Sequence, residues 1–93
     1  MAARIAIYTK DYCPYCTKAK VLLDQLGMAY DEIDLSKTPD KMAELTARRP
    51  SARTVPQIFI GDEGIGGCDD LYALHAEGRL VGMVDGSLVV GSW

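Results

Sequence analysis

Two cysteines three positions apart, Cys13 and Cys16, enclose Pro14 and Tyr15, and they are the residues of this 93-residue chain best equipped for chemistry. A thiolate attacks disulfides, and a second thiol one helical turn away can resolve the mixed disulfide formed on the first. The preceding run, Arg4-Ile5-Ala6-Ile7-Tyr8-Thr9, is rich in β-branched and aromatic residues, while the run from Tyr15 to Gly27 has apolar residues at helical spacing. The pair therefore falls where a strand turns into a helix. Free N–H groups and the macrodipole at that helix N-terminus favour negative charge on Cys13. Pro14 suits the first helical position, because its missing donor would have had no partner there. Cys13, nearer the terminus, is expected to be the nucleophile, and Cys16 the resolving thiol.

The elements that must position this pair are legible along the chain. A buried strand over 4–9 precedes a helix over 14–26, with Tyr15, Ala19, Leu22, Leu23 and Leu26 on one face and Gly27 as its stop. A second strand covers 29–34. Thr38-Pro39-Asp40 reads as the start of a second helix, with Thr38 as the capping hydroxyl, apolar Met42, Leu45 and Ala47, and Pro50 closing it. Val55-Pro56-Gln57-Ile58-Phe59-Ile60 is a third strand opened by a proline, which a strand tolerates at its first residue. The turn Gly61-Asp62-Glu63-Gly64 leads to a short fourth strand near Ile65, and Gly66-Gly67 precedes a helix over 68–77. The order is βαβα followed by ββα, which makes the first strands parallel and the last two an antiparallel pair. Over 80–93, Asp85-Gly86 signals a hairpin, with an irregular packed tail as the equal alternative. The whole chain, 1–93, is expected to be one domain.

Composition removes several function classes. The net charge of −3 argues against broad binding to nucleic acid or an anionic membrane surface. No run approaches the roughly 20 apolar residues of a spanning helix, and Met1-Ala2-Ala3-Arg4 carries no signal-peptide pattern, so a reducing cytosol is the expected compartment. Three cysteines, an odd number, fit a secreted disulfide scaffold poorly. Zinc wants four ligands, often as two close pairs, and Cys68 with the lone His75 supplies no second pair. Gly61 to Gly67 is no phosphate loop, since no lysine follows at the required spacing.

Three motifs in order, Lys10 with Cys13-Pro14-Tyr15-Cys16, then Thr54-Val55-Pro56, then Gly66-Gly67-Cys68-Asp69-Asp70, resemble the glutaredoxin family from about Ile5 to Gly78. The resemblance implies an α/β thioredoxin-like fold, βαβαββα, with a four-stranded mixed sheet flanked by helices. It implies a monomeric, glutathione-dependent enzyme that reduces protein–glutathione mixed disulfides and protein disulfides, with glutathione as cosubstrate and glutathione reductase as indirect partner. Pro56 would follow a cis peptide bond that turns the backbone of Val55 toward an extended ligand. Gly67, Cys68 and Asp69 would receive the γ-glutamyl end of the tripeptide, carboxylate to N–H and ammonium to Asp69 or Asp70. Lys10 would face the thiolate or a ligand carboxylate. Tyr15 either packs over the tripeptide or begins the apolar face of its helix. Arg48, Arg49 and Arg53 form a basic cluster, one of which could meet the glycyl carboxylate. The side chain of Cys68 reads as structural. The alternatives are a dimer carrying a [2Fe–2S] cluster and a redoxin served by thioredoxin reductase.

Overall fold

Alternation along one strand organises the molecule. In β1 (Ile5–Thr9), Ile5 and Ile7 point to one face of the sheet and Tyr8 to the other, and all three are buried, so both faces must be covered. A computed structural model describes residues 4–50 and 54–85 and shows how this is done. After β1 come α1 (Pro14–Gln25), β2 (Asp31–Asp34), α2 (Lys41–Arg48), β3 (Gln57–Ile60), β4 (Glu63–Gly66), α3 (Cys68–Ala76) and α4 (Leu80–Asp85). The sheet has the order β2-β1-β3-β4, with β1 parallel to β2 and β3 antiparallel to both β1 and β4. The expected four-stranded mixed sheet flanked by helices is therefore present.

One face carries the larger core. Ile5, Ile7, Ile58 and Ile60 meet Ala19, Leu22 and Leu23 of α1, Cys68 and Leu71 of α3, and Leu80 and Met83 of α4. The other face holds Tyr8 and Phe59 under Leu35 and Leu45, closed by α2. There the Tyr8 hydroxyl donates to Glu44 Oε1 at 2.7 Å, and Arg48 donates to the Tyr8 oxygen and to the carbonyl of Gly61. The Arg48 guanidinium carbon also lies over the Phe59 ring, 3.9 Å from its centroid. Gly27 ends α1 as expected: its φ of 68° lets Gly27 N–H reach Asp24 and Met28 N–H reach Leu23, the paired bonds of a Schellman stop.

Three expectations are corrected. Residues 80–85 are helical rather than hairpin or irregular, because Leu80 and Met83, three apart, share a face that packs on the core under α3; residues 86–93 lie outside the described residues. Thr38 does not cap α2. Its hydroxyl donates to the carbonyl of Asp34 at 2.8 Å, and the helix begins later, after Asp40. Met42 and Ala47 are exposed, since α2 lays only Leu45 into the core. The third strand starts at Gln57, which leaves Val55 and Pro56 in the loop before it. Among the described residues no helix is long and apolar enough to cross a membrane.

Candidate active site

The loop that leaves β1 delivers Cys13 to the N-cap of α1 in an extended conformation, with Pro14 as the first helical residue. Its sulfur accepts the backbone N–H of Cys16 at 3.1 Å, as a capping side chain does. The two cysteines are joined as a disulfide across one helical turn. Cys16 is 2% exposed, whereas Cys13 keeps access to solvent. A reagent arriving from outside therefore meets Cys13 first.

The second part of the site comes from a chain segment 42 residues away. The carbonyl oxygen of Val55 lies 3.6 Å from the Cys13 sulfur, and the Val55–Pro56 peptide is cis. The side-chain amide of Gln57 donates to the carbonyl of Thr54 at 2.9 Å and ties this loop to the start of β3. Beside it opens a groove of about 550 Å³, walled by Tyr15, Arg49, residues 54–57 and residues 66–70. The far wall is the N-terminus of α3. Asp70 Oδ2 accepts the N–H of Gly67 at 3.0 Å, and Gly66 has a φ of 107°. A Cβ on Gly66 would collide with the Asp70 carboxylate, so a glycine is required there. The N–H groups of the first turn of α3 have no acceptor within their own helix, and residues 68–70 of that turn border the groove. The arrangement offers an extended strip of backbone, an electropositive helix start and a sulfur at one end.

Residue by residue, Tyr15, Thr54, Val55, Pro56, Gly67, Cys68 and Asp69 all border this groove. Tyr15 is 59% exposed, which removes it from the apolar face of α1 and leaves it on the groove wall. Lys10 is not on this wall. It borders a neighbouring hollow with Cys13 and Cys16, where Lys20 donates to Glu32 at 2.9 Å and buried Thr9 donates to the same carboxylate oxygen. The ammonium of Lys20 and the Thr9 hydroxyl hold the Glu32 carboxyl below the usual carboxylate range. Of the arginine cluster, Arg49 reaches the groove and donates to the carbonyl of Gly64 at 2.9 Å. Arg48 is committed to Tyr8 and Phe59, and Arg53 lies outside the described residues. The Cys68 side chain is buried and unbonded to another cysteine, and burial pushes its thiol up. His75 is exposed on α3.

Gln57 and the Gly66–Asp70 bracing were not singled out from sequence. A glutamine after a proline carries no signal of its own, and the role of Gly66 depends on where Asp70 folds back. The i, i+3 spacing of Gly67 and Asp70 was available as a capping signature.

A family model described as glutaredoxin matches residues 5–65. Glutaredoxin 3 of Escherichia coli (strain K12) is 49% identical over 78 residues, covering 84% of this chain and 93% of that protein. The solution structure of a glutaredoxin from Brucella melitensis superposes with a TM-score of 0.79 at 45% identity, covering 96% of each chain. A buckwheat glutaredoxin, solved as its glutathione complex, gives a TM-score of 0.77 at 40% identity over 88% of this chain and 76% of that one. A strand–dithiol–helix unit on a thioredoxin-like sheet, together with relatives matched over nearly their full length, places this chain in the glutaredoxin family of thiol–disulfide oxidoreductases.

Proposed function

We propose that the protein, as one domain over 1–93 and a monomer in the reducing cytosol, reduces protein–glutathione mixed disulfides and protein disulfides at the expense of glutathione. The observation that carries this reading is the groove beside Cys13, with the Val55 carbonyl 3.6 Å from the sulfur and the α3 N-terminus across from it. The buckwheat relative, seen with glutathione, supports the choice of tripeptide. An extended cysteinyl peptide paired with the backbone of Val55, as an added strand would be, brings its own sulfur beside Cys13. The γ-glutamyl carboxylate meets the first N–H groups of α3, and Asp69 accepts from the ammonium. Asp70 already serves Gly67, which leaves Asp69 as the better acceptor. Thr54, Pro56, Gly67 and Cys68 contribute backbone, Tyr15 covers the ligand, and Arg49 or Lys10 offers a cation to the glycyl carboxylate.

The steps follow from the two sulfurs. Cys13, ionised at the helix N-terminus, attacks the glutathione sulfur of a mixed disulfide; the S–S bond breaks and the protein sulfur leaves as thiolate. A second glutathione thiolate attacks the glutathione on Cys13, releasing oxidised glutathione and restoring the Cys13 thiolate. With a protein disulfide, Cys16 displaces the substrate sulfur from Cys13, and the resulting Cys13–Cys16 bridge is reduced by two glutathiones. The burial of Cys16, one turn inside α1, supports a resolving role for it rather than first attack.

The test is turnover of a small glutathione mixed disulfide with glutathione, glutathione reductase and NADPH. Turnover far above the uncatalysed rate is expected. Turnover only with thioredoxin reductase in place of the glutathione system overturns the choice of reductant. Pro14 directly after the nucleophile favours catalysis over the cluster-carrying dimer, and anaerobic reconstitution with iron, sulfide and glutathione separates the two. A brown dimer with weak turnover defeats the catalytic reading.

A further inference from the structure

Tyr12 immediately precedes Cys13 and has two properties that the fold does not use. The residue is 103% exposed, as open as one in an extended peptide. Its φ is 54°, the one positive φ at a non-glycine position among the described residues. A bulky side chain is rarely found there, and glycine or asparagine adopts the conformation more easily. No hydrogen bond or ring contact holds the Tyr12 ring among the described residues. A strained backbone and a solvated aromatic ring thus coincide beside the reactive sulfur, and strain of this kind concentrates where a site has to be shaped. The ring stands on the rim of the second hollow, of about 490 Å³, whose walls include Cys13, Cys16, Lys10 and Thr17. This hollow is lined by none of the residues that wall the tripeptide groove.

We propose that Tyr12 and this hollow receive the polypeptide segment flanking the disulfide under attack, and that Tyr12 selects segments with a large apolar side chain next to the cysteine. The occupant follows from the chemistry. Cys13 bonds to one substrate sulfur as the substrate S–S bond breaks and the other sulfur leaves as thiolate. Cys16 then displaces the first sulfur and the Cys13–Cys16 bond forms. While the substrate is held on Cys13, its neighbouring residues lie within a few ångströms of that sulfur. One flank has the groove, and the other has the hollow with its exposed ring. An aromatic or aliphatic side chain covers the Tyr12 ring at little entropic cost, because a tyrosine has few rotamers to lose. The inference rests on thiol–disulfide exchange at Cys13 and is independent of which thiol fills the groove.

The experiment uses the reduced full-length protein in single turnover against two disulfide-linked peptide dimers, identical except for phenylalanine or alanine beside the cysteine, and against hydroxyethyl disulfide. The parent is expected to reduce the phenylalanine dimer about fivefold faster than the alanine dimer. Tyr12→Gly is expected to bring that ratio to about one while leaving the hydroxyethyl disulfide rate unchanged, and Tyr12→Phe to preserve the ratio. A parent ratio of one, a ratio that survives in Tyr12→Gly, or equal slowing with all three substrates overturns the proposal; the last result would assign Tyr12 to the reactivity of the sulfur itself. Failure of the glutathione reading shows separately, as loss of turnover in the glutathione-coupled assay while the peptide ratio persists.

Discussion

Two helices of this molecule start within one residue of a cysteine, and the cysteines are not alike. Cys13 is the N-cap of α1: its sulfur accepts a backbone N–H, it keeps access to solvent, and it has a second sulfur one turn away. Cys68 is the first helical residue of α3. There the cap is Gly67 braced by Asp70, and the Cys68 side chain, 4% exposed, is turned into the core with Leu71 and Ile58. A helix N-terminus alone does not make a thiol reactive. One position along the helix decides whether the sulfur meets N–H groups and solvent or apolar side chains, and burial disfavours the thiolate.

The sharpest way to break this contrast is to exchange the sulfurs for other atoms. On the proposed mechanism, Cys13→Ser lowers turnover of a glutathione mixed disulfide by at least about a thousandfold, as loss of a nucleophile does. Cys16→Ser leaves that turnover within about threefold of the parent but abolishes reduction of protein disulfides. Equal loss in both variants removes the division of labour. Both rates are read in the NADPH-coupled assay.

Next in size is the α3 wall. Gly66→Ala forces a Cβ into the Asp70 carboxylate at a positive φ, so it should cost about 2 kcal/mol in urea unfolding. The KM for glutathione mixed disulfides should rise with it, because the bracing of Gly67 is lost. A rise in unfolding midpoint, with KM unchanged, would detach this turn from the site.

Cys68→Ala tests the buried member of the pair. A loss of about 1 kcal/mol from the core is expected, with turnover retained. In the reduced parent, iodoacetamide near neutral pH should label Cys13 well before Cys68, followed by mass spectrometry. Labelling of Cys68 first contradicts the assignment of roles.

The smallest effect lies beside the dithiol, at Glu32. Its folded-state carboxyl is held low by Lys20 and Thr9, so the stability it contributes is complete above the ordinary glutamate range and is lost as pH falls through the depressed value. Both side chains are partly solvated, which limits the gain to about 0.5 kcal/mol. Glu32→Gln should therefore be slightly less stable than the parent at pH 7, and the two should converge once the pH is below that depressed value. A gap that persists in acid would mean the change acts through packing.

What could be read in advance depended on how local each feature is. The strand–Cys13–helix unit is written in consecutive residues: β-branched runs, a proline at the first helical position, and i, i+3 cysteine spacing. The glycine stop of α1 is equally local. The capping hydroxyl of Thr38 looked equally local, yet it was claimed by the carbonyl of Asp34, a competition that only the path of the chain reveals. Leu80 to Val84 has strand-like composition and became a helix because its apolar pair, three apart, had a core to cover.

The chain by itself determined the dithiol, its place at a helix start and the order of the elements from β1 to α3, because these follow from sterics and periodicity over a few residues. The fold alone decided that Val55 stands against Cys13, that Arg49 rather than Arg48 faces the groove, and that Tyr15 and Tyr12 are left in solvent. The approach of Val55 to Cys13 joins segments 42 residues apart, brought together as β3 pairs with β1, and no short run of sequence encodes it or tells which side chains the packing leaves in solvent.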